Sequence, residues 1–118
     1  MLDFACVSLS DLIVPWEEIR TRLEAVGSAD LVIALYNPKS TKRTWQLQEA
    51  IEIIARHRPA STPAGVVTLA GGDEEQVLIT DLGRVGEAEV SMRSIIIIGN
   101  KSSRRIGRWF VTPRGYKL

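Results

Sequence analysis

Two uninterrupted apolar runs do most to constrain how this chain can fold. Residues 31–36 read LVIALY, and residues 95–98 are four consecutive isoleucines. Short runs of this kind, rich in β-branched side chains, are typical of strands that are covered on both faces. The isoleucine run is also far shorter than the roughly 20 apolar residues that a membrane helix requires. The two runs therefore predict central strands of a sheet.

Segments with helical periodicity alternate with the predicted strands. The first predicted helix follows Pro15, which suits a first helical turn, and the second runs from about Thr41 to His57. The buried stripe predicted for the second helix consists of Leu47, Ala50, Ile51 and Ile54. Two later strands, 64–70 and 76–80, are separated by a Gly-rich turn that favours a hairpin. The predicted fold is α/β: a three-layer domain with a mixed, mainly parallel sheet flanked by helices.

Composition limits the chain to one domain and reveals an uneven distribution of charge. The sequence has 118 residues, of which 45% are hydrophobic and 25% charged, which excludes intrinsic disorder. Residues 1–89 carry a net charge of −6, whereas residues 90–118 carry +7 and contain no acidic residue. Such a basic segment either attracts an anionic partner or forms an ordinary solvated surface. A single cysteine, Cys6, and the absence of a signal-peptide pattern predict a cytoplasmic location.

Several chemical signatures are missing from the sequence. There is no Gly-rich dinucleotide fingerprint and no phosphate-binding loop with its lysine. The only histidine, His57, is too far from Cys6 in sequence to suggest a metal cluster, so no metal site is predicted. His57 is instead interpreted as a residue of the last helical turn, where a positive charge suits the helix dipole.

The candidate site lies in three loops that follow predicted strands. These loops are Ser8–Asp11, Tyr36–Ser40 and Ala70–Asp73. In open α/β sheets, ligands bind beyond the carboxyl ends of parallel strands, and small residues let a ligand approach the backbone. The alternative is ordinary turn and capping chemistry, which uses the same residue types. A further candidate is Arg114, whose guanidinium can hold a carboxylate, unless it belongs to a frayed terminus.

At these loops the sequence resembles a known family. The segments DFACVSLSDLIVPW (3–16), ALYNPKSTKRTWQLQEA (34–50), IIIIGN (95–100) and VTPRGY (111–116) resemble the precorrin-3B C-17 methyltransferases of cobalamin biosynthesis, within the tetrapyrrole methylases. That family has two α/β domains with S-adenosylmethionine in the cleft between them. The Gly-Pro-Gly turn of its N-terminal domain is absent here. The resemblance therefore implies that residues 1–118 form only the C-terminal domain, as a fragment or a truncated gene product.

The resemblance also implies roles for individual residues. Contacts with the cofactor are expected at Leu35, Tyr36, Asn37, Ala70 and Gly71. Contacts with the tetrapyrrole are expected at Ser8, Ser10 and Arg114, and Asp11 is the candidate catalytic residue for the ring-contraction step. One departure concerns residues 69–72, which read LAGG where family members often have Asn-Ala-Gly-Arg. Binding through the backbone of Ala70 and Gly71 would be little affected by this difference.

The function implied by the resemblance is methyl transfer from S-adenosylmethionine to C-17 of precorrin-3B, coupled to ring contraction. The chain would supply one half of the cleft, and the enzyme is expected to be a homodimer with no nucleic-acid or membrane partner. The alternatives are another tetrapyrrole methylase of the same pathway, or an isolated folding or dimerisation domain without activity. Nucleic-acid binding by the basic segment is disfavoured because the segment lacks the interleaved aromatic platform expected of a single-strand binder.

Overall fold

A computed structural model describes residues 4–38, 45–69, 75–91, 93–101, 103–106 and 109–111. Its elements, in chain order, are β1 (Phe4–Ser8), α1 (Trp16–Ser28), β2 (Val32–Tyr36), α2 (Gln46–Ala55), β3 (Pro63–Leu69), β4 (Glu75–Asp81), a 3₁₀ turn (Val85–Glu87), β5 (Ser94–Ile98), β6 (Arg104–Ile106) and β7 (Trp109–Val111). The predicted alternation of strands and helices is confirmed as far as β5, whereas β6 was not predicted. Neither of these helices is long and apolar enough to cross a membrane.

The two helices form where apolar side chains recur at helical spacing. In α1, Ile19, Leu23 and Gly27 are buried at intervals of four residues, and acidic side chains occupy the first turn. In α2, the predicted stripe is confirmed, since Leu47, Ala50, Ile51 and Ile54 are all buried. The helix ends at Ala55, two residues before the predicted end at His57.

The main sheet has five strands in the order β1-β2-β5-β3-β4. β1 pairs with β2 in parallel, whereas the β2–β5, β5–β3 and β3–β4 pairs are antiparallel. The α/β class with a mixed sheet is confirmed. β1, β2 and β3 run in the same direction, as expected of a mainly parallel sheet. However, only the β1–β2 pair is parallel, so the prediction of mainly parallel pairing is wrong. The physical reason is that β5 inserts between β2 and β3, so these two strands never touch.

The predicted three-layer arrangement is wrong for the part of the chain that the structure describes. Buried strand residues such as Val7, Leu35, Val66 and Ile96 lie on one face and form a single core with both helices. The crossovers from β1 to β2 and from β2 to β3 move in the same direction across the sheet. Right-handed connections then bring both helices to the same face. Within the described residues the result is two layers, and neither helix covers the opposite face of the sheet.

The last strands do not extend the main sheet. β7 pairs with β6 in a separate two-stranded sheet. In this ribbon the two strands are antiparallel, and Ile106 pairs with Trp109.

Candidate functional site

The carboxyl ends of β1 and β2 meet at one edge of the sheet, which we call the carboxyl edge. Beyond the paired strands, the amide of Leu9 donates to the carbonyl oxygen of Tyr36 at 2.9 Å. The side-chain amide of Asn37 donates to the hydroxyl oxygen of Ser8 at 3.0 Å, and the amide of Ser10 donates to the same oxygen at 3.3 Å. Two of the predicted loops are therefore joined by direct hydrogen bonds.

Asn37 has an unusual backbone conformation. Its φ of 53° lies in the left-handed region, where Asn is tolerated far better than branched or bulky residues. This conformation turns the chain away from β2 at the carboxyl edge, and Pro38, which follows, is buried. The left-handed backbone at Asn37 thus accompanies the hydrogen bond from its side-chain amide to Ser8.

The carboxylate of Asp11 is held by the second helix. The side-chain amide nitrogen of Gln46, at the first position of α2, donates to Asp11 at 3.4 Å. Gln46 is only 2% exposed, and its side-chain oxygen has no hydrogen-bond partner among the described residues. A buried polar group without a partner costs free energy, so this oxygen does not contribute to stability through the described contacts.

Two tryptophans, Trp16 and Trp45, lie near Asp11 and Gln46 at the carboxyl edge. Trp16, at the start of α1, and Trp45, immediately before α2, pack edge to face with ring centroids 5.1 Å apart and planes at 79°. The indole nitrogen of Trp16 is buried without a hydrogen-bond partner, whereas Trp45 is exposed. The aromatic pair therefore forms an apolar wall between the N-termini of the two helices.

A hydroxyl pair lies at the same edge, where β3 ends and β5 begins. The hydroxyl oxygens of Thr68 and Ser94 are 2.8 Å apart, and the amide of Ser91 donates to Ser94 at 2.9 Å. Because Ser94 is buried, this pair fixes the loop that enters β5. It borders the position from which residues 70–73 continue.

The predicted site residues fall into two groups. Ser8, Ser10, Asp11, Tyr36 and Asn37 lie together at the carboxyl edge. Ala70, Gly71 and Arg114 lie outside the described residues. Leu35 is fully buried beneath the helices, so a contact with a ligand would involve only its backbone, as the resemblance implies.

Gln46, Trp16, Trp45, Thr68 and Ser94 were not predicted as site residues. Gln46 precedes Ala50 by four residues, so it continues the buried stripe of α2 with a polar side chain. That pattern is the sequence signal that could have identified it. The Thr68–Ser94 contact depends on the pairing of β3 with β5, which no local sequence pattern reveals.

A second polar cluster occupies the opposite edge of the sheet. Buried Arg58 donates to the carbonyl oxygens of Val26, Ala29 and Gly99 beside a cavity of about 370 Å³. Burial lowers the pKa of the Arg58 guanidinium, and the nearby charge of Asp30 opposes this effect. Each recorded bond of Arg58 is to the backbone, which indicates a structural role.

His57 lies beyond the end of α2, facing Glu24 on α1. Its ring nitrogen Nε2 is 2.8 Å from the Glu24 carboxylate, and Arg56 donates to the same carboxylate at 2.9 Å. The hydrogen bond from His57, assisted by the charges of His57 and Arg56, lowers the pKa of Glu24 from its usual 4.5. The described residues contain no group of three or more potential metal ligands.

Comparisons with known proteins agree on one group of relatives. The chain is 43% identical over 118 residues, its whole length, to a protein of Salmonella typhimurium named "Probable cobalt-factor III C(17)-methyltransferase", of which it covers 49%. It is 40% identical over 119 residues to a precorrin-3B C(17)-methyltransferase of a Sinorhizobium species, with 97% of the chain and 47% of the relative aligned. No protein-family model matches the sequence.

A solved structure supports the same relationship. The crystal structure of the methyltransferase CobJ superposes with a TM-score of 0.82 and 28% sequence identity, covering 94% of this chain and 46% of that one. The chain therefore spans about half the length of each of these three relatives.

Proposed function

We propose that this chain, a homologue of the cobalt-factor III and precorrin-3B C(17)-methyltransferases, forms one half of an enzyme that methylates C-17 of a precorrin-type tetrapyrrole with S-adenosylmethionine. Homology along the whole chain supports the methyltransferase assignment. The observation that carries the proposal is the linked pair of loops at the carboxyl edge, where Asn37 holds Ser8. Ligands of open α/β sheets bind at such an edge.

The groups at this edge fit a nucleoside-containing methyl donor. In the described part of the chain, the hydroxyl proton of Ser8 and the amide oxygen of Asn37 stay available after their mutual bond forms. They could bind the ribose hydroxyls or the edge of the adenine. Tyr36, 40% exposed, adds an aromatic surface at the end of β2. A bound S-adenosylmethionine would supply the electrophilic methyl group through its sulfonium.

The remaining residues of this edge would orient the acceptor and exclude water. Methyl transfer from a sulfonium depends chiefly on alignment of donor and acceptor, which matches the described residues of this edge, among which there is no acid–base pair. Trp16 and Trp45 supply an apolar wall there. Asp11, held by Gln46, is the group proposed to accept or deliver a hydrogen bond during ring contraction.

The basic end of the chain suits an acidic substrate. Precorrins carry several carboxylates, and clustered cations steer such a polyanion. Arg93 is exposed immediately before β5, which starts at the carboxyl edge, whereas Lys101 lies at the opposite edge. Arg93 is therefore the described cation best situated to meet the substrate, and Arg114 lies outside the described residues.

A second candidate function follows from the length of the chain. Because it spans about half of its relatives, it supplies only some of the contacts of a cleft between two domains. On its own it would then be a folding or association domain with little affinity for the cofactor.

Calorimetric titration with S-adenosylhomocysteine separates the two candidates. Measurable binding by the chain, weakened about tenfold by Ser8→Ala through loss of a hydrogen bond, would support the cofactor site. Ser61→Ala is the matched control, because Ser61 is an exposed serine at the opposite edge. Absence of binding would favour the association domain, and equal binding by wild type and Ser8→Ala would refute the proposed site.

A further inference from the structure

A cavity of about 370 Å³ lies at the edge of the sheet opposite the carboxyl edge. It is bordered by the ends of α1 and α2, the start of β3 and the residues that follow β5. The five residues of β2 separate the two edges by about 16 Å. Ligand sites commonly have volumes of about 300–1,000 Å³, so this cavity is large enough for a small organic molecule.

Two polar side chains that line this cavity are buried. Arg58 is 9% exposed and Thr62 is 6% exposed. The three recorded hydrogen bonds of Arg58 use one hydrogen of Nη1 and both hydrogens of Nη2, so the Nε hydrogen and the second Nη1 hydrogen have no partner among the described residues. The Thr62 hydroxyl likewise has no hydrogen-bond partner in the described part of the chain. Buried polar groups are normally hydrogen-bonded, so these donors are available to a ligand in the cavity.

The positive charge of Arg58 has no carboxylate in direct contact. Among the residues that the structure describes, no acidic side chain forms an ion pair with its guanidinium. Burial therefore lowers the pKa of Arg58, and the more distant Asp30 opposes this effect. Exposed Lys101 brings a second cation to the rim of the cavity, whereas His57 already pairs with Glu24. Because buried charges are usually paired, the cavity favours an anionic ligand.

The charges around the cavity favour an anion with a single charge. Arg58 and Lys101, set against Asp30, leave a net charge of +1. The carbonyl ends of α1 and α2 also lie here, and the C-termini of helices disfavour negative charge. A carboxylate carries one negative charge and only accepts hydrogen bonds, whereas a phosphate ester carries about −1.5 to −2 at pH 7. The carboxylate is therefore the better match.

We propose that this cavity binds the carboxylate group of a small organic molecule. The Arg58 guanidinium and the Thr62 hydroxyl donate to the carboxylate oxygens, and the Lys101 ammonium adds positive charge at the rim. This site is independent of the methyl-transfer proposal, because it lies at the other edge of the sheet and shares no residue with the carboxyl edge.

An NMR titration of the 118-residue chain with acetate tests the proposal, with acetamide as a neutral probe of the same shape. Sodium chloride keeps the ionic strength constant, so the screening of charges does not change during the titration. Acetate should shift the backbone amide signals of Thr62 and Lys101 and saturate at millimolar concentration, as expected of so small a ligand. Acetamide should leave these signals unchanged.

Two variants and one control assign the binding to this cavity. Thr62→Val and Lys101→Met keep the three recorded bonds of Arg58, so both are expected to fold. Each should raise the acetate dissociation constant about three- to tenfold, through loss of a hydrogen bond or of a nearby charge. Arg22→Met is the matched control for Lys101→Met, because it removes the same charge from an exposed site on α1, and it should leave the dissociation constant unchanged.

Several results would overturn the proposal. Absence of saturable shifts would refute the site, and so would acetate binding that neither Thr62→Val nor Lys101→Met weakens. Equal binding of acetamide would show that the cavity does not recognise negative charge. Tighter binding of inorganic phosphate than of acetate would refute the carboxylate as the ligand class. Shifts centred on Ser8 and Asn37 would assign the anion to the carboxyl edge instead.

Discussion

Replacing Arg58 tests how much its hydrogen bonds to the end of α1 and to the residue after β5 contribute to stability. Its guanidinium donates to Val26 and Ala29 at the end of α1 and to Gly99 after β5. In Arg58→Met the aliphatic stem is kept, but three carbonyl groups lose their donor. We expect the substitution to destabilise the domain through these groups.

The magnitude follows from the burial of each acceptor. The bond to Gly99 is buried, so loss of its donor costs about 1–3 kcal/mol. The bonds to Val26 and Ala29 are only partly buried, so water replaces the donor and the cost is about 0.5–1 kcal/mol for each. Part of this loss is offset, because the variant no longer bears the desolvation cost of a buried guanidinium. The free energy of unfolding should fall by about 2–4 kcal/mol.

Urea unfolding followed by circular dichroism measures this loss. The matched control is Arg56→Met, because Arg56 is exposed and pairs only at the surface, so a change below about 0.5 kcal/mol is expected. Arg58→Lys should give an intermediate value, since an ammonium cannot reach three carbonyls with the geometry of a guanidinium. If Arg58→Met lowered the free energy of unfolding no more than Arg56→Met does, the reasoning about the Arg58 contacts would be refuted.

Three further predictions concern the carboxyl edge and the helix pair. Asn37→Gly should be about 1 kcal/mol more stable than Asn37→Ala in urea unfolding, because glycine accepts the positive φ; the reverse order would contradict the left-handed conformation. Gln46→Leu should unfold within about 1 kcal/mol of wild type, since it removes a buried oxygen without a partner, yet it should lower methyl transfer in the full-length enzyme by releasing Asp11. A severe loss of stability with unchanged turnover would show that Gln46 is only structural. The lowered pKa of Glu24 implies that its ionised form stabilises the fold above the usual 4.5 and that this contribution disappears as pH falls through the lower folded-state value. Glu24→Gln should therefore flatten the acid side of a stability–pH profile, and an unchanged profile would exclude the linkage.

Local patterns in the sequence account for most of the elements and for half of the site. The stripe from Leu47 to Ile54 and the apolar runs specify helices and strands through short-range periodicity, and the structure has them at those places. The gathering of Ser8 and Asn37 at one edge follows from the parallel direction of β1 and β2. Gln46 was missed because glutamine in a helix usually faces water, and only tertiary packing buries it.

The order of the strands and the face that the helices cover could not be predicted from local sequence patterns. Strand order depends on which strands pair across long sequence separations, and the run at 95–98 is compatible with several positions in a sheet. Its insertion between β2 and β3 removes the expected parallel contact. The uniform direction of the two crossovers then places both described helices on the same face of the sheet.

The insertion of β5 also determines when the domain can complete itself during synthesis. β1, α1 and β2 are made first, and β3 with β4 form a hairpin, but only β5 joins these two parts of the sheet. Its partner β2 lies some sixty residues earlier in the chain, because Ile98 pairs with Ile33. Such distant pairing is slow and leaves strand edges open meanwhile. A growing chain therefore carries two unjoined fragments until Ser94–Ile98 leaves the ribosome, and a break before this strand separates them.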